Sequence, residues 1–283
     1  MPTLAAKDDA ITRGAAFKGF RANEDSRAIL AERDVGPPSA RTSSKGALIV
    51  ESHAIFRLLG QGMSLAGAKE ACLRARTVLK NPARNTRARI WDAVNWRYFL
   101  WQPPRWVLED LQRAALDSSK PNERFKELAY LHYARRDRLT FDFVTQYLFQ
   151  NWQAGVRTVR RDEVWRFALE AYGEAAARFR ESTRKKIAGN MLSALRDFGL
   201  LRGIQRKTIQ QPHLEQAAAL HLCRLLYEEG FRGNTLIEAS DWRLFLLMPH
   251  DVTSVLGALA KRGALRFEKA GRTVILELLE GGA

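Results

Sequence analysis

The sequence contains very little cysteine and no long apolar run. Cys72 and Cys223 are the only cysteines in 283 residues, and they stand far apart without the close spacing of metal ligands. This pattern argues against a disulfide framework and is typical of a reducing compartment. The densest apolar run, Leu244 to Met248, is far shorter than the roughly 20 residues that cross a bilayer. We therefore expect a cytoplasmic protein without membrane insertion.

Catalytic and metal-binding motifs are also missing. The sequence has no G-x-x-x-x-G-K-[ST] phosphate loop, no G-x-S-x-G turn and no H-E-x-x-H pair. The five histidines are scattered, and His213 and His221 stand eight residues apart, not at the four-residue step that places two ligands side by side on a helix. Carboxylates from distant positions can still converge, which keeps an enzyme open as an alternative. We predict a non-enzymatic protein without cofactor or metal.

Positive charge is what the sequence has in excess. Lys and Arg number 46 against 31 Asp and Glu, which gives a formal net charge of +15. This surplus attracts polyanions, so nucleic acid is the leading class of partner and an anionic membrane surface is the next. The alternative is a basic surface that only keeps the protein soluble.

The stretch Ser182 to Arg206 combines an amphipathic helix with a dense basic run. Its apolar residues recur at three- and four-residue steps, which predicts one buried stripe. Ser182 or Thr183 is expected to cap the helix, and Gly199 to end it in a left-handed conformation. We predict that its basic residues, and those of the strand that follows, bind nucleic acid: Arg184, Lys185, Lys186, Arg206 and Lys207.

One sequence pattern within this stretch recurs near the C-terminus. The pattern L-x-x-x-G-x-L-R occupies residues 195–202 and again residues 259–266. Two apolar segments separated by a Gly-containing basic turn follow the second copy, which predicts a β-hairpin. A helix followed by such a hairpin is the arrangement of a winged helix. The alternative is that a helix-Gly-strand junction produces this sequence pattern by chance.

A second basic region lies nearer the N-terminus. Apolar periodicity begins at Leu48 and predicts one helix that stops at Gly60, a second capped by Ser64, and a third that opens at Asn85 or Thr86. Three short helices with a Gly turn are typical of a helix-turn-helix unit. The polar residues at the start of the third helix carry groups that bind phosphates and base edges: Arg84, Asn85, Arg87 and Arg89. The alternative is a solvated basic face on a helical bundle. The aromatic residues nearby could stack on single-stranded bases, but their helical spacing favours the core for most of them.

The predicted fold is mainly α, a helical bundle with helix-turn-helix and winged-helix-like units and a small β-hairpin near the C-terminus. We expect a flexible arm over 1–46, with one short helix near Asp25 to Arg33, and a helix-turn-helix-like domain over 47–117. A central bundle over 118–211 ends in the basic helix and a short strand, and a winged-helix-like domain covers 212–283. The acidic segment Glu228 to Asp241 is expected to face solvent or a protein partner.

Several of these features resemble the BrxA family of bacterial BREX phage-defence systems over about residues 47–278. The resemblance rests on the helix that stops at Gly60-Gln61-Gly62, the helix opening Asn85-Thr86-Arg87-Ala88-Arg89, the surroundings of Trp152 and Trp165, and the run from Ser182 to Leu201. The chain departs from the family by its long arm before residue 47.

The resemblance implies a small, mostly helical, non-enzymatic component of a multi-protein system that recognises DNA. It also implies other BREX proteins as partners, namely a methyltransferase and ATPase components. Together with the charge, it predicts binding to double-stranded DNA, mainly through phosphates. Two alternatives remain open, an adaptor that bridges defence proteins and an RNA-binding factor.

Overall fold

The structure, a computed structural model, describes residues 23–33, 36, 38–39, 45–74, 76–271 and 273–279. Helices dominate it, and the prediction of a mainly α fold with a small β-hairpin near the C-terminus is confirmed. The first half of the described chain consists of α1 (Glu24–Glu32), α2 (Ile49–Gly60), α3 (Leu65–Arg74), α4 (Arg84–Tyr98), α5 (Arg105–Leu116) and α6 (Glu123–Arg136).

The second half mixes helices with short strands. The helix α7 (Arg138–Asp142) continues through a π-helical segment (Phe143–Leu148) into α8 (Phe149–Gln153). The remaining elements are β1 (Thr158–Val159), α9 (Arg161–Tyr172), α10 (Glu174–Ala177), α11 (Glu181–Asp197), β2 (Leu201–Arg202), β3 (Lys207–Ile209), α12 (Gln216–Glu228), α13 (Gly233–Ile237), a 3₁₀ helix (Ser240–Phe245), α14 (Pro249–Lys261), β4 (Leu265–Ala270) and β5 (Thr273–Leu278).

Two helices end in the same way, at the two copies of the repeated sequence pattern. Gly199 follows α11 with a φ of 89°, and Gly263 follows α14 with a φ of 73°. In each copy, the amide after the glycine donates to a carbonyl five residues earlier, from Leu200 to Leu195 at 2.9 Å and from Ala264 to Leu259 at 3.1 Å. Both glycines therefore occupy the left-handed position that closes a helix, as the sequence predicts.

The N-terminus of α11 differs from the prediction. The helix begins at Glu181, and the capping position belongs to Arg180, whose side chain makes no cap hydrogen bond. Ser182 and Thr183 lie inside the first turn, so neither is the cap. The acidic Glu181 instead stands at the start of the helix, where a negative charge interacts favourably with the helix dipole.

The strands form two antiparallel sheets. The strand β3 lies between β1 and β2, and the order in this three-stranded sheet is β1-β3-β2. The strands β4 and β5 form the C-terminal hairpin, in which Leu265 pairs with Leu278 and Ala270 with Thr273. Each hairpin thus directly follows a long helix, α11 in the first case and α14 in the second.

A packed helix lies within the predicted flexible arm. The helix α1 is close to the predicted span, and Ile29 and Glu32 on it are fully buried. Arg136 of α6 donates to the backbone oxygen of Glu32 at 2.9 Å, which satisfies a carbonyl at the end of the helix. The expectation of a flexible arm is therefore wrong for residues 23–33, while residues 1–22 and 40–44 lie outside the described residues.

Buried ion pairs attach α1 to the rest of the protein. Arg33 donates to both oxygens of Glu229, at 2.8 and 2.7 Å, and to Asp241 at 2.9 Å. Arg135 on α6 binds the same two carboxylates and also Glu32. The expectation that the acidic segment faces solvent or a partner is thus wrong for Glu229 and Asp241, which are each 1 % exposed and bind arginines of their own chain.

The apolar core is continuous through the described chain. One cluster of buried apolar side chains extends from Ile29 to Leu276 and includes residues of all the predicted domains. Most of the aromatic residues near α4 belong to it, as predicted, and Trp96 is also buried: Trp91, Tyr98, Phe99, Trp101 and Trp106 are in the cluster. The domain boundaries at residues 117 and 211 stay predictions.

Candidate nucleic-acid interface

A basic groove lies between α9, α11 and the loop that joins β2 to β3. Its volume is about 910 Å³. Among the described residues, those that line it include two acids, Asp162 and Glu181, and a larger set of cations: Arg160, Arg161, Arg166, Arg184, Lys185, Arg196 and Lys207. The floor is apolar, with Trp165, Leu169, Ala188 and Leu192. The groove therefore combines a positive rim with an apolar floor.

Two of these cations stand close enough to Lys207 to repel it. Partial burial and the nearby charges of Arg196 and Arg161 lower the pKa of Lys207, while Asp197 opposes the shift. Each of the three comes from a different element, since Arg161 starts α9, Arg196 lies near the end of α11 and Lys207 starts β3. An anion placed among them would relieve this repulsion, which is the electrostatic requirement for a phosphate site.

A glycine in the middle of α11 lies beside one of them. A Cβ added at Gly189 would lie 3.6 Å from Nε of Arg161 and 3.7 Å from its Cζ. The guanidinium of Arg161 therefore lies directly against the bare backbone of α11. Glycine inside a helix costs roughly 1 kcal/mol relative to alanine, and an alanine at this position would meet the guanidinium at an ordinary contact distance.

Trp165 lies beneath the rim of the groove. Its side chain is largely buried, and Cζ of Arg184 lies 5.5 Å from the centre of its ring, within the range of a cation-π contact. The Nε1 atom of Trp165 is buried and has no hydrogen-bond partner among the described residues. Aromatic stacking therefore holds Arg184 at the groove.

The predicted site residues on α11 have different environments. Arg184 is only partly exposed, and it donates to the carbonyl of Phe179 at 2.6 Å and to that of Ala177, so its donors mainly complete the end of α10. Lys185 is exposed and pairs with Glu181 at 2.6 Å, a surface contact of small energy. Lys186 is exposed and makes no ion pair or side-chain hydrogen bond within the described part of the chain.

Two further predicted residues lie on the β2–β3 hairpin. Lys207 donates to the carbonyl of Ile204 at 3.0 Å and lines the groove. Arg206 is exposed at the end of the connecting loop, and Arg202 is exposed at the end of β2. The structure thus brings Lys207 and the α11 residues Arg184 and Lys185 together at one groove.

The predicted site on α4 is divided between surface and interior. Arg84, Asn85 and Arg89 are exposed, and no described residue forms an ion pair or side-chain hydrogen bond with them. Arg87 is only 6 % exposed and donates to three carbonyls, those of Leu73, Asn81 and Pro82, each at 2.8 Å. The prediction that Arg87 binds nucleic acid conflicts with this burial, because its guanidinium holds the α3–α4 connection.

Sequence reasoning missed Arg161 and Arg196 as groove residues. Arg196 lies in the predicted basic stretch and Arg161 in the basic run before α9, but neither is among the predicted site residues, and the two stand 35 positions apart in the sequence. The pairing of β1 with β3 brings the start of α9 beside the β2–β3 hairpin. A two-residue strand such as β1 carries too few residues to be recognised from periodicity.

The described residues contain neither a cluster of metal ligands nor a single helix that could span a membrane. Within the described ranges, no group of three or more His, Cys, Asp or Glu side chains could hold a metal ion. No single described helix has the length and apolar content of a membrane span. One pair of helical segments, Gly233–Phe245 and Pro249–Lys261, meets that criterion jointly, with a bend of 99° between them.

Comparison with known proteins agrees with the fold and identifies the family. None of the curated proteins matches the chain. A crystal structure of an uncharacterized protein from Magnetospirillum magneticum is similar, with a TM-score of 0.56 and 16 % identity over 75 % of this chain and 100 % of that one. This likeness concerns the fold. The family model for BrxA matches residues 39–225, which is more than half of the chain, and the chain therefore belongs to the BrxA family of BREX phage-defence components.

Proposed function

We propose that this protein is a non-enzymatic, DNA-binding component of a BREX system and that it binds duplex DNA through the basic groove. The single observation that carries the proposal is the convergence of Arg161, Arg196 and Lys207, three cations from three elements, at the groove between α11 and the β2–β3 hairpin. Duplex DNA is the polyanion that a BREX component meets, and the cytoplasm is the proposed place of action.

The order of elements around the groove supports this proposal. The segment from α7 to α8 is followed by β1, by α9, by α11 and by the β2–β3 hairpin, and β1 adds to the outer side of β3. A helix that precedes a hairpin of this kind is the winged-helix arrangement, in which the helix enters the major groove and the hairpin lies beside it. In that interpretation α11 is the recognition helix and residues 203–206 are the tip of the wing.

The energetics of such binding follow from phosphate neutralisation. Each phosphate that a cation neutralises releases condensed counterions, so the binding constant falls with salt by a log-log slope of about 0.9 per phosphate on B-DNA. The cations named for the groove are mostly exposed, and so are the pairs they form with Asp162 and Glu181, while Arg196 pairs with the half-exposed Asp197 at 2.7 Å. Such pairs contribute little and give way to phosphate at low cost.

The test is a salt titration of duplex binding by the full chain. We expect the triple variant Arg161→Ala, Arg196→Ala and Lys207→Ala to flatten the log-log slope by about 2 to 3, since it removes up to three phosphate contacts. The matched control removes three exposed cations from α3, α5 and the loop after α5: Lys69→Ala, Arg113→Ala and Lys120→Ala. Circular dichroism and thermal melting check that both variants fold.

Three outcomes would contradict the proposal. Equal slopes for both triple variants would show that net charge alone, and not the groove, attracts DNA. Tighter binding to structured RNA than to duplex DNA in direct competition would favour an RNA-binding factor. If no nucleic acid binds at moderate salt while other BREX proteins are captured, an adaptor function would replace DNA binding as the proposed function.

A further inference from the structure

The loop between β2 and β3 exposes one large apolar side chain. Ile204 is 80 % exposed, the highest value for any large apolar residue in the described part of the chain. It lines the rim of the basic groove, and exposed arginines precede and follow it at positions 202 and 206. A single exposed isoleucine is common on protein surfaces, so its support and its surroundings decide what it does.

The support of Ile204 is rigid. Gly203 has a φ of 94°, and a Cβ built on it would lie 2.1 Å from the backbone oxygen of Arg206, so the loop closes tightly where only glycine fits. The ammonium of Lys207 donates to the carbonyl of Ile204 at 3.0 Å. These contacts hold the isoleucine at the tip of the hairpin before any partner binds, which reduces the entropy cost of binding.

The surroundings of Ile204 are cationic. Residues 202–207 include Arg202, Arg206 and Lys207 and no acid. The C-terminal hairpin differs, because Ala270 and Gly271 stand at its turn and no bulky apolar side chain is exposed there among the described residues. Apolar side chains that enter the minor groove wedge between stacked base pairs, with phosphates on either side, and an apolar tip between cations has the chemistry for this.

We propose that Ile204 inserts from the minor groove between two base pairs of the bound duplex and partly unstacks them. This inference rests on the proposed function, because the basic groove and α11 must hold the duplex beside the hairpin. Flanking cations bind the phosphates on both sides of the step, while the side chain replaces part of the lost stacking with its own apolar contact. Flexible steps such as TA should be preferred, since their deformation costs least.

The experiment uses the full chain and duplexes that carry 2-aminopurine, a base whose fluorescence rises when it unstacks, at successive steps that include TA. We expect the wild-type protein to raise the fluorescence at one step. Ile204→Ala should abolish this rise and weaken binding by about tenfold, because most of the buried apolar side chain is lost. Ile204→Arg should also abolish the rise but keep affinity within about threefold through phosphate attraction.

Val50→Ala is the matched control, since it removes another highly exposed apolar side chain, on α2, at 64 % exposure. It should change neither the fluorescence nor the affinity. Wild-type fluorescence and affinity in Ile204→Ala, or binding by the wild-type protein without a rise at any step, would overturn this inference and leave the proposed function standing. Absence of duplex binding by the wild-type protein would overturn both.

Discussion

The Nε2 atoms of His132 and His221 lie 3.0 Å apart in the core. Nδ1 of His132 contacts Glu32, and Nδ1 of His221 lies 2.7 Å from Asp110. These contacts form one buried chain of polar groups that runs from Glu32 through the two imidazoles to Asp110.

The first prediction is that acid destabilises the protein through His221. Burial lowers the pKa of His221 from 6.5 to about 4, although its hydrogen bond to Asp110 opposes the shift. The folded chain therefore binds this proton less readily than the unfolded chain. The contribution of His221 to the free energy of unfolding is complete above pH 6.5 and is lost as the pH falls towards 4, by about 3 kcal/mol in total.

Urea titrations between pH 7.5 and 4 measure this loss. Glu32 extends the decline to lower pH: burial raises its pKa, but His132 and Arg135 outweigh burial and hold the pKa at about 2, so its contribution is lost between pH 4.5 and 2. His250→Gln, at an exposed position, is the control and should keep the wild-type profile. A flat free energy of unfolding between pH 6.5 and 4.5 would refute the assignment of His221.

The second prediction concerns Arg135, which is fully buried and binds Glu32, Glu229 and Asp241. Arg135→Ala leaves three buried carboxylates with fewer partners and should destabilise the protein by about 3 to 5 kcal/mol. Arg135→Lys keeps the charge but loses the planar set of five donors, and we expect an intermediate loss. Chemical denaturation at pH 7.5 measures both.

A matched control separates burial from charge in this comparison. Arg105 pairs with Glu109 at 2.6 Å, but its side chain is 92 % exposed. Arg105→Ala should therefore change the free energy of unfolding by less than about 1 kcal/mol. If Arg135→Ala cost no more than this, the buried network would not stabilise the attachment of α1.

The fold was predictable from the sequence where local patterns determine it. Gly199 and Gly263 end their helices because a residue in the left-handed conformation is needed there. A sequence pattern of eight residues is enough to predict these two helix ends. The attachment of α1 was not predictable, because Arg33 meets Glu229 and Asp241 across about 200 positions. From the sequence alone, an acidic and a basic segment that pair with each other in the interior cannot be distinguished from two charged segments exposed to solvent.

The candidate site was predictable only in part, for a similar reason. A run of charges such as Arg184-Lys185-Lys186 indicates a basic helix, but it does not tell which side chains bind the protein's own backbone. Arg184 and Arg87 both donate to carbonyls at the ends of neighbouring segments. Arginine suits this use as well as it suits phosphate, since it carries five donors.

The third prediction compares Gly203, at the tip of the β2–β3 hairpin, with Gly189 on α11. Gly203→Ala forces a Cβ to 2.1 Å from the carbonyl oxygen of Arg206 at a positive φ, so the tip must rearrange and duplex affinity should fall. Gly189→Ala meets Arg161 at an ordinary 3.6 Å and should raise the free energy of unfolding by up to about 1 kcal/mol, since alanine favours the helix. Thermal melting and duplex titration measure the two effects, and equal behaviour of the variants would contradict both arguments.

The fourth prediction separates two arginines two positions apart on α4. Arg87 is buried against three carbonyls, so Arg87→Ala leaves these acceptors without their donor and should lower the free energy of unfolding by about 1 to 3 kcal/mol. Arg89 is exposed, so Arg89→Ala should leave stability within about 0.5 kcal/mol. If α4 also contacts DNA, Arg89→Ala should flatten the salt slope by about 0.9 while Arg87→Ala, at a temperature where it is folded, should not. An unchanged slope for Arg89→Ala would show that Arg89 contacts no phosphate, and Arg84 would then be the remaining exposed arginine of α4 to test.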